Sequence, residues 1–445
     1  MSPSTRRTLA AALAACAMSV WPASARAEPA PVESAAPSFS AANVPTLSEE
    51  QLFERWLRAS AEVAALRAQV GAARFDVVTA ELLPNPELLV GGALLAAGTP
   101  PDGQSGLQAQ LTVPLPVFGQ IPARRRAAES LVSVAEVTVL SALWERAADL
   151  QSAMVDAAFA DARVTMLEAN LDELARLRRI VETRTQAGAN SAYDVLRVTT
   201  SETTVRAATR TAITDRTQAE SRLLALMAEP TLTRVHVTRE GLATFRGPGD
   251  EGALVKLALE RRPDLELSRR NVVASSRSAE RWRKDAIPTP SLFAGAYAVQ
   301  GPFGVQVTAG VTMPLPIFDR NQGQVGRALS EAHASGLMSE ALEVRIKTEV
   351  QGAWRAREAA RGALREYREA ALPAAAEMLR RAEVSYQAAK FSIAELFDAY
   401  RTLWDARLQE LDLERQMALA EVSLERAAVL VPLGAPGRAP APASR

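Results

Sequence analysis

Cysteine is nearly missing from this 445-residue chain: Cys16 is the only one, so no intrachain disulfide can form. Histidine is almost as scarce. His236 and His333 lie far apart, and no His/Cys cluster of the kind that holds a transition metal can be assembled within one chain. The nine methionines are scattered and read as core fillers rather than ligands. Aromatics make up only 5% of the residues against an abundance of Ala, Leu, Arg and Glu, a composition that favours long helices over a compact mixed core. Formal charge is balanced, 51 basic against 51 acidic, which offers nucleic acid no basic footprint to hold. There is no Gly-rich phosphate loop, nucleophile elbow or HExxH pair, so neither an enzyme nor a bound cofactor is expected. Beyond the N-terminal segment, no run approaches the ~18 consecutive apolar residues of a membrane helix.

What is present begins with an export signal over residues 1–27. Arg6 and Arg7 form its positive end, residues 9–21 its apolar stretch, and Ala25-Arg26-Ala27 a small-x-small cleavage site before Glu28. A second reading stays open, because Leu13-Ala14-Ala15-Cys16 has the form of a lipoprotein signal in which Cys16 would carry lipid. Residues 28–45 are rich in Pro, Ala and Ser and read as a flexible N-terminus.

The rest of the chain is a tandem duplication. Thr112-Val113-Pro114-Leu115-Pro116-Val117-Phe118 returns as Thr312-Met313-Pro314-Leu315-Pro316-Ile317-Phe318, and Leu83-Pro84-Asn85-Pro86 is answered by Ile287-Pro288-Thr289-Pro290. The first repeat spans 46–229, with a strand hairpin at 86–115 and a long helical hairpin at 124–227. A connector covers 230–252. The second repeat spans 253–430, with a strand hairpin at 290–314 and a long helical hairpin at 325–429, and residues 431–445 form a disordered tail. Each repeat opens with a helix. The first is expected to be capped by Thr46, with Glu49 in the capping-box position, and to run unbroken toward Pro84; the second is split by Pro263.

Between the prolines the apolar period changes to two. Leu107, Ala109, Leu111 and Val113 alternate with Gln108, Gln110 and Thr112, and the odd-numbered positions from Phe303 to Met313 are apolar throughout. Each strand has roughly the ~9–11 residues of a transmembrane β-strand, with an apolar face for lipid and a face of Gln, Thr and Gly for a wet lumen. Alternation of this kind also suits a half-buried sheet in a soluble domain. The helical hairpins carry apolar seams at Leu167, Leu171, Leu174 and Val181, and at Trp404, Leu408, Leu411, Ala418 and Val422, suited to coiled-coil packing. Four strands cannot close a barrel, and an open sheet in lipid leaves unpaired backbone groups, so transmembrane strands require several copies of the chain.

In this order of elements, and in the prolines that bracket each hairpin, residues 46–430 resemble the TolC-like outer-membrane channels of tripartite efflux and secretion systems. Leu83-Pro84-Asn85-Pro86 and the stretch from Leu315 to Gly323 look most similar to the branch serving cobalt-zinc-cadmium and other heavy-metal efflux pumps. The resemblance implies a mainly α fold with a β-barrel portion: a homotrimer whose strands form a barrel in outer-membrane lipid and whose helices form a tunnel across the periplasm. It implies a periplasmic adaptor and an inner-membrane pump of the RND type as partners, and no cofactor. Function would then be a passive conduit for small solutes, heavy-metal cations among them. Protein export in a type I secretion system, or a soluble periplasmic coiled-coil adaptor, are the competing readings.

The family closes its tunnel at the helical turns, which here align with a shift of 201 residues, so that Asp194 pairs with Glu395. The family's Tyr-x-x-Gly turn, with acids six and nine positions later, is matched by Tyr386, Glu395 and Asp398, although Ala389 replaces the glycine and Phe391 replaces an expected basic residue. The resemblance therefore makes Tyr386, Glu395, Asp398 and Asp194 aperture candidates, with the carboxylates favouring cations. Glu395 and Asp398 also suit a helix N-terminus, and Tyr386 suits simple packing. Arg124-Arg125-Arg126 reads either as a solvated face or as a contact for phosphate headgroups.

Overall fold

The computed structural model describes residues 46–94, 105–186, 191–239, 241–242, 244–245, 247–299, 304–388 and 390–430. The export signal with Cys16, the segment up to residue 45, the tail 431–445, the strand-hairpin tips and residues 187–190 and 389 of the helical turns lie outside the described residues.

The first repeat consists of β1 (Thr46–Leu47), α1 (Glu49–Ala59), α2 (Ala61–Glu81), β2 (Glu87–Leu94), β3 (Ser105–Pro114), α3 (Gln120–Gln186) and α4 (Ala192–Met227). The connector contributes β4 (His236–Val237), which pairs in parallel with β1. The second repeat consists of α5 (Glu251–Arg261), α6 (Pro263–Asp285), β5 (Ser291–Val299), β6 (Val305–Thr312), α7 (Gln322–Glu366), a π-helical turn Tyr367–Ala371, α8 (Leu372–Gln387) and α9 (Ile393–Ala428). With 67 residues, α3 is about 100 Å long at ~1.5 Å per residue.

Two expectations need correction. Thr46 does not cap the first helix, because it is drawn into β1. The cap is Ser48, which donates its N–H to Gln51 Oε1 at 3.0 Å and accepts the Gln51 N–H at 3.4 Å. The first helix is not continuous: it breaks at the buried Ser60, extended at φ −67 and ψ 125, where the Ala61 N–H leaves the ladder and donates to Ala228 O at 3.2 Å. The second long helix runs from Gln322 to Gln387 as expected, with one π-helical turn at Tyr367–Ala371. Pro373 has no N–H and crowds the carbonyl four residues back, and the preceding turn widens so that the Leu372 N–H reaches Tyr367 O.

The strands form one antiparallel sheet in the order β2-β3-β5-β6, so β3 and β5 join the two repeats and β2 and β6 are its edges. The register puts Leu88, Leu107, Leu111, Leu292, Val305, Val307 and Val311 on one exposed face. The opposite face carries the expected Gln108, Gln110, Gln306 and Thr308, but also Phe293 and Tyr297. Both rings reach over glycine: a Cβ at Gly106 would strike Tyr297, and one at Gly310 would strike Phe293. Helices α2, α3, α6 and α7 pack side by side in the same order as the strands, while α4 packs on α3 and α8 on α9.

Two cores mirror each other across the duplication. Leu52, Trp56, Trp144 and Leu223 are buried in the first, and Leu254, Ala258, Ile346 and Leu424 stand in the equivalent places of the second. The smaller Ala258 and Ile346 fill less space, and Phe245 and Trp354 pack against the second core. Arg124, Arg125 and Arg126 pair with Asp285 at 2.9 Å, Glu81 at 3.1 Å and Glu280 at 3.1 Å on the adjoining α6 and α2. Within α3 one 18-residue window reaches a mean hydropathy of 1.4 with at most two charged residues, and only 28% of it is buried.

Candidate aperture at the paired helical turns

Both helical turns end in the same local device. Ser191 caps α4 and Ser392 caps α9, and in each the third helical residue is an acid reaching back to the cap. Asp194 Oδ2 accepts the Ser191 N–H at 3.0 Å, and Glu395 Oε2 accepts the Ser392 N–H at 2.7 Å and its hydroxyl at 3.0 Å. Serine followed by an acid three residues later is what such a start requires, since each satisfies one orphan donor of the first turn. Asp194 and Glu395 are thus occupied by their own helices. Asp398, one turn further and 65% exposed, instead accepts from Arg197 Nη2 at 2.7 Å across the gap between α4 and α9.

Tyr386 is buried among Leu174, Leu177, Val181, Val198, Ile393, Leu396 and Phe397, a cluster that draws on α3, α4, α8 and α9 together. The Arg184 guanidinium lies 4.5 Å from its ring centre, and among the described residues its hydroxyl has no hydrogen-bond partner. The ring is therefore packed and capped by a cation, and does not touch Asp194 or Asp398 through a hydrogen bond. Two further groups complete the site. Glu173 accepts from Tyr400 Oη and, at 3.2 Å, from Trp404 Nε1, while Arg197 also lies over the Phe397 ring at 5.3 Å. Glu377 on α8 is held at about 2 by hydrogen bonds from Arg380 and then Arg381, so that exposed acid keeps its charge in any ordinary medium. Among the described residues no group of three His, Cys, Asp or Glu side chains is arranged to hold a metal ion.

The turns thus bring Glu395, Asp398, Asp194 and Tyr386 into one neighbourhood, in three different roles. Arg184, Arg197 and Glu173 are the members that sequence reasoning missed. For Arg197 a signal existed: with the same shift of 201 residues it falls opposite Asp398. For Arg184 and Glu173, among many charges on α3, there was none.

The duplicated order of helices and strands, with its helical turns, is shared with known proteins. The profile of the family described as Outer membrane efflux protein matches residues 52–229 and 254–428, covering both repeats. The chain belongs to this outer membrane efflux protein family. It is 24% identical over 352 residues to Cobalt-zinc-cadmium resistance protein CzcC of Cupriavidus metallidurans, covering 79% of this chain and 82% of that one. It is 26% identical over 381 residues to Nodulation protein T of Rhizobium leguminosarum bv. viciae, covering 83% of this chain and 76% of that one. The solved structure of CusC superposes with a TM-score of 0.70 at 19% identity, over 86% of this chain and 92% of that one. As a member of the family, the chain is an outer-membrane efflux channel subunit, and its sheet and helical hairpins have the fold of a barrel joined to a tunnel.

Proposed function

We propose that three copies of this chain close into a passive conduit across the outer membrane, with the helical hairpins forming its periplasmic tunnel. One observation carries this reading: the four-stranded sheet has an exposed apolar face and two unpaired edges, β2 and β6. In lipid each unpaired backbone group costs several kcal/mol, so the sheet must continue into other copies until no edge is left. The mature chain is exported by its N-terminal signal, and a periplasmic adaptor and an RND-type inner-membrane pump deliver solute to it. The likeness to CzcC supports heavy-metal cations as cargo, taken as substrate and not as a resident cofactor.

The turns form the aperture. Glu395 and Asp398 contribute carboxylates near the narrowest part, and Asp194 and Tyr386 hold the surrounding helix ends. A ring of such carboxylates favours cations. The test is single-channel recording of the full-length protein in planar bilayers. Glu395→Gln with Asp398→Asn should lower the preference for cations, and unchanged selectivity and conductance would remove both residues from the aperture. Loss of the gene should make its host more sensitive to cobalt, zinc or cadmium salts; normal resistance to all three would set the metal cargo aside.

A further inference from the structure

Neither the sheet nor the aperture accounts for the apolar exposure of the repeated proline motif. Its first copy follows β3, an inner strand flanked by β2 and β5, so every neighbour the sheet can supply is already present there. Val117 and Phe118 nevertheless stay 64% and 48% exposed. The second copy follows the edge strand β6, and there Leu315 and Phe318 are 70% and 89% exposed. The duplication separates two kinds of exposure. Leu115 is partly covered where Leu315 is open, so Leu315 is a position that a following copy covers. Val117 with Ile317, and Phe118 with Phe318, are exposed in both settings, so closing the sheet does not bury them.

The backbone of the first copy is built for an apolar medium. Pro114 and Pro116 have no N–H. The Leu115 N–H donates to Pro290 O at 2.8 Å, the Val117 N–H to Leu115 O at 2.8 Å and the Phe118 N–H to Gln120 Oε1 at 2.9 Å. No donor from Pro114 to Phe118 is left for water, a condition that hydrocarbon imposes and an aqueous loop does not. In the second copy the Ile317 N–H donates to Leu315 O at 2.9 Å in the same way.

The side-chain pattern points the same way. The alternating apolar row does not stop with the strand: Val305, Val307, Ala309 and Val311 continue as Met313, Leu315 and Ile317, and Leu111 and Val113 as Leu115 and Val117.

We propose that residues 117–118 and 317–318 form a collar immersed in phospholipid at the periplasmic edge of the outer membrane, below the last paired strand residues. This rests on the reading of the strands as membrane-spanning. The test uses full-length protein in phosphatidylcholine vesicles with brominated acyl chains, and reads the emission that Phe118→Trp or Phe318→Trp adds to the wild-type signal. Val307→Trp, on the exposed strand face, is the reference, and Ile317→Trp substitutes if either collar variant fails to assemble. Added emission from the collar should fall by roughly half or more in brominated lipid, as at position 307, and respond little to acrylamide. Quenching by acrylamide alone, or by neither agent while Val307→Trp is quenched by lipid, would place the motif in water or against protein and overturn the collar. If Val307→Trp also escapes lipid quenching, the membrane-spanning strands fail and the collar fails with them.

Discussion

Arg197 and Asp398 occupy the same position in the two repeats, 201 residues apart, and are joined by a 2.7 Å ion pair. Duplication placed one residue type at both sites of an ancestral turn, and the present chain has opposite charges there. The pair fastens α4 to α9 beside the proposed aperture and compensates the Asp398 carboxylate. Arg197→Ala should therefore raise cation preference in single-channel recordings, the opposite of Asp398→Asn. Because both groups are partly solvated, the coupling is expected at about 0.2–1 kcal/mol, measured as a double-mutant cycle on the opening of the turns to hydrogen exchange. The swapped pair, Arg197→Asp with Asp398→Arg, should recover that protection; failure of the swap would mean that the contact does not couple the two hairpins.

The capping boxes give a second prediction that separates structure from permeation at the same residue. Ser392→Ala should weaken the start of α9 by about 1 kcal/mol, and Ser191→Ala the start of α4 by a similar amount. Glu395→Gln keeps a side-chain acceptor for the Ser392 N–H and should leave hydrogen exchange of that turn almost unchanged. A change in selectivity for Glu395→Gln without a change in exchange would assign its charge to permeation; accelerated exchange would assign the effect to lost capping.

Arg262, at the break between α5 and α6, is buried and pairs with Asp264 at 2.6 Å and Glu349 at 2.5 Å, with its guanidinium 4.9 Å from the Trp144 ring centre. Burial pushes the Glu349 carboxyl up, but Arg262 and Arg345 together outweigh it and hold the group below its ordinary value. Arg262→Ala removes the shared donor and the stacked plane at once and should cost about 2–3 kcal/mol. Thermal unfolding of the detergent-solubilised protein measures this. Arg262→Lys should recover less than half the loss, since an ammonium cannot reach both carboxylates from one plane.

A pH dependence follows from Glu229, just beyond the end of α4. Hydrogen bonds from Arg55 lower its pKa below the ordinary 4.5, burial opposes them, and Thr231 assists. The folded form binds this proton less readily than the unfolded one, so the stabilisation is complete above pH 4.5 and is lost as pH falls through the lowered value. The difference in melting temperature between wild type and Glu229→Gln should be constant near neutrality and shrink below pH 4.5. A gap that persists into acid would show that Glu229 contributes through shape and not through charge.

Much of the fold was legible because its signals are local. Period-two alternation marked β3 and β6, paired prolines marked the ends of the hairpins, and the repeated heptapeptide revealed the duplication. Aromatic placement was not legible in the same way. Phe293 and Tyr297 sit in a weakly alternating strand, and only the register against Gly310 and Gly106 puts their rings on the polar face. At the turns the acids could be found only through the resemblance to the family's turn pattern. That Glu395 caps its own helix while Asp398 crosses to Arg197 depends on where α4 lies relative to α9, which no local pattern encodes.

Ala61 and Pro263 show the division most directly. They are equivalent positions, each the first residue after a break between two helices. At Pro263 the sequence alone determined the break, because a residue without an N–H cannot continue the ladder. Alanine imposes nothing of the kind, and the best helix former known stands where the first helix ends. There the break was decided by the tertiary structure: the end of α4 brings Ala228 O within 3.2 Å of the Ala61 N–H, and a backbone donor that finds an acceptor outside its own helix has no need of one inside it.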